Sequence, residues 1–99
     1  MGGLGSAIEY FAISYAFREL NLAKLNCEVL EGNSTVLRMH AKFMFQDEGF
    51  LRAHKQRQDV RLGVHLLGLT KSEWLQNAAA VWERYVNSLE RFTVTVHEV

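Results

Sequence analysis

The sequence carries a single cysteine, Cys27, no excess charge of either sign, and no apolar run approaching the length of a membrane helix. One cysteine excludes an internal disulfide framework and fits a reducing compartment. Eleven basic residues cancel eleven acidic ones, so no net field draws the chain toward nucleic acid, a membrane surface or a strongly acidic partner. No pair of cysteine or histidine residues has metal-ligand spacing, so no metal is expected. A spanning helix takes about 20 apolar residues, and a leader needs a charged segment before its apolar core. Neither pattern is found, and the chain is expected to be soluble and cytoplasmic.

What is present is core material. With 48% hydrophobic residues in 99 positions, the chain has enough for one small domain with a real core. The opening Met1-Gly2-Gly3-Leu4-Gly5 reads as a loop entering a helix. It marks either a glycine-tipped small domain or a chain that starts inside a larger fold. From Ser6 to Leu20, Ile8, Phe11, Ala12, Tyr15 and Ala16 recur at helical spacing, which predicts an amphipathic helix with that stripe inward. Leu25, Cys27 and Val29 alternate with Asn26, Glu28 and Leu30, which predicts a short strand with Cys27 buried and not a nucleophile. Asn33 and Ser34 are N-cap types ahead of a second helix, on which Val36, Met39, His40 and Phe43 share a face.

Phe50 to Ala53 and the alternating Val60, Leu62, Val64 and Leu66 predict a hairpin, with the polar His54 to Gln58 as its solvated turn. Lys55, Arg57 and Arg61 lie on or beside that turn, but a neutral chain without interleaved aromatics is not expected to bind nucleic acid. Thr70-Lys71-Ser72-Glu73 has the form of a capping box. A third helix follows to about Glu90, burying Trp74 and Trp82. The alternating Thr93 to His97 forms a possible last strand. The order of elements is α/β or α+β.

Two features bear on chemistry. Gly3-Leu4-Gly5-Ser6 at a helix start offers backbone N–H groups and partial positive charge to an anion, although glycines there also fit a merely flexible start. His40 lies on an apolar stripe, where a core histidine and a functional one read alike.

Taken together, Gly3 to Ser6, the strand Glu28-Val29-Leu30, Asn33, His40-Ala41-Lys42 and Phe45 resemble the second half of the GNAT superfamily of N-acetyltransferases. In that family a Gly-x-Gly loop, a helix, a strand and an Asn-x-x-Ala-x-x-x-Tyr-x-Lys-x-Gly-Phe helix follow in order. Lys24-Leu25, Glu48-Gly49, Asp59-Val60 and Glu73-Trp74 are most similar to the N-acetyltransferases of pseudaminic-acid biosynthesis. Ribosomal-protein N-terminal acetyltransferases are the nearest alternative, and a non-catalytic truncated remnant or interaction domain is a third.

The resemblance implies a partial acyl-CoA N-acyltransferase fold, a mixed sheet flanked by helices whose first half lies outside this sequence. Residues 1–76 would form the C-terminal half of that domain, and 77–99 the rest of the third helix and the tail. It implies acetyl-CoA as cosubstrate and a small amine, a UDP-amino sugar, as acceptor. Gly3, Leu4, Gly5 and Ser6 match the pyrophosphate loop, and Asn33 the residue that bonds the pantetheine arm. His40 stands where many members have the tyrosine that protonates departing CoA, and Glu28 matches a general base. Met44 replaces the family's glycine, so a positive φ there would be strained. A strand at residues 25 to 30 without its family neighbour would have an open edge, which predicts homodimerisation.

Overall fold

A computed structural model describes residues 2–86. Helix α1 (Gly2–Arg18) is followed by strand β1 (Lys24–Leu30), helix α2 (Ser34–Lys42), strands β2 (Gln46–Arg57) and β3 (Val60–Thr70), and helix α3 (Lys71–Val81). A π-helical turn, Trp82–Val86, continues α3. The rest of the expected third helix and the tail strand at 93–97 lie outside the described residues.

The sheet has the order β1-β3-β2, and both pairings are antiparallel. β1 and β2 therefore run in the same direction with β3 between them. The mixed sheet implied by the resemblance is not seen among the described residues, because no two strands of like direction are neighbours. Among the described residues β1 is a sheet edge, as the resemblance implied.

Trp74, Phe17, Phe43, Leu69 and Val64 are the largest fully buried side chains, and Ile13, Ala78 and Val81 complete the core between α1, β3, α3 and the end of α2. Trp74 lies in that core as expected, with the Tyr10 ring 5.2 Å from both Trp74, tilted, and the half-buried Trp82, edge-on. The Thr70 capping box is formed: Glu73 N–H donates to Thr70 Oγ1 at 3.1 Å, and Thr70 N–H to Glu73 Oε1 at 2.9 Å.

Three sequence expectations are corrected. The glycine segment is not a loop, since Gly3, Leu4, Gly5 and Ser6 form the first turns of α1. Glycine disfavours a helix by only about 1 kcal/mol per residue, and burial of Ser6 and Ala7 just beyond it opposes that cost. The buried face of α1 is Ala7, Ile13, Ala16 and Phe17, while Ile8, Phe11 and Tyr15 are more than half exposed. Both faces are apolar, so periodicity alone had no means to choose between them. Finally, the polar run from His54 is no turn. β2 continues through Arg57, and Gln58-Asp59 makes the two-residue turn, with Gln58 at φ 55°.

β2 also carries a wide bulge. Leu51 pairs with Val64 and Lys55 with Leu62, so three residues of β2 face the single Gly63. Ala53 takes φ 50° there, and its carbonyl accepts from Arg61 Nε at 3.0 Å and Nη2 at 2.8 Å. Such bulges bend a strand and re-aim the side chains beyond it.

Candidate functional site

α2 is defined at both ends by its sequence. Asn33 caps the start, its Oδ1 accepting from Val36 N–H at 3.4 Å. At the other end Met44 N–H donates to Ala41 O at 3.0 Å and Phe45 N–H to His40 O at 3.1 Å. This pair of bonds is a Schellman motif, which places Met44 in the left-handed region at φ 74°. The strain expected of a non-glycine residue at this position is therefore present.

The cap also fixes His40. The Phe45 ring lies edge-on to the imidazole at 4.9 Å, in the contact that usually accompanies the motif. His40 Nδ1 is 2.9 Å from Val36 O and Nε2 is 3.3 Å from Cys27 Sγ. A carbonyl only accepts, so the proton is assigned to Nδ1, and Nε2 is left to accept the Cys27 S–H. Burial, then the carboxylates of Glu9 and Glu28, push the Cys27 thiol above its ordinary value, which favours that protonated donor. Cys27 is half-buried. The buried position expected for it holds in part, but its partner on α2 was not foreseen.

β1 presents its two faces to two cavities. Cys27 and His40 line a groove of about 310 Å³ together with Glu9 and Ile13 of α1 and Phe45. Glu9 lies one turn beyond Gly5 on the same face of α1, and it is the first residue of α1 that lines the groove. Among the described residues, the N–H groups of Gly2, Gly3 and Leu4 have no acceptor within α1. A Cβ added at Gly5 would meet nothing within 4 Å, so no neighbour in the described chain requires glycine there. Asn33 is exposed at the opposite end of α2, about 10 Å from His40 along the helix axis.

Glu28 faces the other way. It lines a cavity of about 370 Å³ with Leu30, Val64, Lys55, Gln56 and Arg57. The sequence placed Lys55 and Arg57 on a solvated tip; they lie on β2 beyond its bulge and line this cavity beside Glu28 of β1. His40 and Glu28 are thus on opposite sides of the β1 edge, and Gly5, one turn before Glu9 on α1, lines neither cavity. Among the described residues, no group of three or more potential ligands is placed to hold a metal. No helix among them is long and apolar enough to cross a membrane.

No family model matches the sequence. A search of curated proteins also found no match. Solved structures do match. A GCN5-related N-acetyltransferase from Brucella melitensis superimposes with a TM-score of 0.74 at 20% identity, over 80% of this chain and 36% of that one. The spermidine/spermine N-acetyltransferase SpeG from Vibrio cholerae, in complex with manganese ions, gives 0.70 at 23% identity, over 76% of this chain and 44% of that one. The chain therefore shares the fold of part of these acetyltransferase structures, and it spans less than half of their length.

Proposed function

We propose, from a fold shared with N-acetyltransferases, that this chain carries the acetyl-CoA grip and the proton-transfer groups of an acetyl-CoA-dependent N-acetyltransferase. The observation that carries the reading is the groove between α1, β1 and α2 that Glu9, Cys27 and His40 line, with an imidazole held by Val36, Phe45 and Cys27.

The free backbone N–H groups of Gly3 and Leu4, at the positive end of α1, hold the CoA pyrophosphate, with Gly5 and Ser6 forming the helical turn behind them. Asn33 caps α2 through Oδ1 and keeps its amide N–H groups for the pantetheine arm. Glu28 takes a proton from the acceptor ammonium, directly or through water, and frees the nitrogen lone pair to attack the thioester carbon. When the carbon–sulfur bond breaks, His40 delivers a proton to the thiolate. In the resting arrangement Nε2 accepts from Cys27, so His40 donates there only once protonated at both nitrogens. The second N–H proton, lost as the tetrahedral intermediate collapses, replaces the one His40 gives to the thiolate, so the products are an N-acetyl amide and CoA with one net proton released through Glu28. The acceptor we favour is the amino group of a sugar nucleotide, following the sequence resemblance, with a protein N-terminus as the alternative.

The test is titration of acetyl-CoA into the full chain, first shown by circular dichroism to be folded. Saturable binding is expected, and Gly5→Asp should abolish it. Gly5→Ala separates structure from ligand: it should stabilise α1 by about 0.5 kcal/mol, because alanine favours a helix, yet weaken binding by crowding the phosphates. A folded chain that binds no acetyl-CoA, or binds equally well with Gly5→Asp, overturns the reading. Where turnover is measurable with amino-sugar nucleotides or peptides, His40→Ala should lower kcat, and an unchanged rate across the pH range removes His40 as the acid.

A further inference from the structure

The cavity on the Glu28 side of β1 has walls of opposite charge. Glu28 comes from the edge strand, and Lys55 and Arg57 from the far end of the hairpin. Neither cation lies within ion-pair distance of Glu28, and the side chains of all three lack hydrogen-bond partners among the described residues. They do not neutralise one another. A surface of solvated charges needs no shared cavity, but these three line one of about 370 Å³, a volume typical of small-molecule sites.

Their meeting depends on a local feature. β2 is separated from β1 by β3, so a regular hairpin would keep Lys55 and Arg57 one strand away from Glu28. A bulge opposite Gly63 lies just before Lys55, bulges bend the strand that carries them, and the geometry of this one is held on both sides. Arg61 donates two bonds to Ala53 O within the bulge. Glu31, just after β1, accepts from Gly63 N–H through Oε1 at 2.8 Å, and its own N–H donates to Gly63 O at 2.9 Å. β1 is thereby tied to the point where the hairpin turns over it.

We infer that this cavity binds an amine that also carries an oxyanion group, with the ammonium at Glu28 and the phosphate or carboxylate at Lys55 and Arg57. Guanidinium and ammonium groups recognise both kinds of oxyanion. A linear polyamine has no anion to offer, and its additional positive charges meet Lys55 and Arg57 unfavourably. The inference specifies the acceptor for the proposed acetyl transfer, and rests on that reading only for the chemical consequence of binding.

Binding is therefore tested without turnover, by following backbone amide shifts of the full chain on addition of phosphoethanolamine, γ-aminobutyrate or spermidine at low salt. At least one anionic amine should shift residues 28, 55 and 57 saturably and bind more tightly than spermidine; which one does so distinguishes phosphate from carboxylate. Lys55→Ala and Arg57→Ala should each weaken it about fivefold, as expected for exposed charge-assisted contacts. Lys55→Glu with Arg57→Glu should reverse the preference toward spermidine. The inference is overturned if spermidine binds the wild-type cavity as well as both anionic amines do, if no probe shifts these residues, or if the charge-reversed chain keeps its preference while its circular dichroism is unchanged. Acetyl-CoA titration reports separately on the groove across β1, so a chain that binds the anionic amine but not acetyl-CoA keeps this inference and loses the catalytic one.

Discussion

Met44 ends α2 with φ 74°, and its strain can be measured by comparing two truncations. Met44→Gly and Met44→Ala both remove the side chain that packs partly buried against the core, so that loss cancels between them. What differs is the backbone. A left-handed non-glycine residue costs about 1–2 kcal/mol, and glycine's extra freedom in the unfolded chain returns about 0.5–1 kcal/mol of that in alanine's favour. Met44→Gly should therefore be more stable than Met44→Ala by about 1 kcal/mol, the reverse of the order at an ordinary helical position. For a domain of this size that is about 4–8 °C in Tm. Thermal and urea unfolding can be followed through the fluorescence of Trp74, which is fully buried. An alanine variant as stable as the glycine variant would refute the argument. It would mean that the two bonds of the cap, Met44 N–H to Ala41 O and Phe45 N–H to His40 O, are kept without a strained residue between them.

Cys27 should react with iodoacetamide more slowly in the folded chain than in the unfolded one at neutral pH, because burial and Glu9 favour its neutral form; Glu9→Gln should speed the folded reaction, and no change would remove Glu9 as a cause. The same raised thiol pKa predicts a stability change of definite sign. Below the ordinary thiol range both states are protonated and nothing changes, whereas above it the unfolded chain ionises first and unfolding becomes easier. Cys27→Ser should flatten that alkaline loss in urea titrations. Thr70→Ala removes the side-chain half of the α3 capping box and should lower stability by about 1 kcal/mol, read as a lower urea midpoint at unchanged slope. Because β1 is a sheet edge among the described residues, the isolated chain should associate in a concentration-dependent way; sedimentation as a monomer at all concentrations would count against this.

Local sequence signals determined much of this protein. The Asn33 cap, the Val36, Met39, His40 and Phe43 face, the Thr70 capping box and the strained Met44 all depend on residues within a few positions of one another. Backbone geometry links such neighbours regardless of the rest of the chain. The placement of His40 on a half-buried face was legible for the same reason.

The tertiary structure decided what depends on long-range partners. α1 offers two apolar faces, and only the positions of α3 and β3 select Ile13 and Phe17 over Ile8 and Phe11. The polar run His54 to Arg57 becomes strand because β3 satisfies its backbone groups, a pairing that outweighs local polarity. Cys27 meets His40 across 13 positions of chain, and Glu28 shares a cavity with Lys55 and Arg57, which follow the bulge in β2. Period and capping record the local geometry of a chain; which faces meet, and so which charges and thiols become neighbours, is set by packing between elements that the local pattern does not encode.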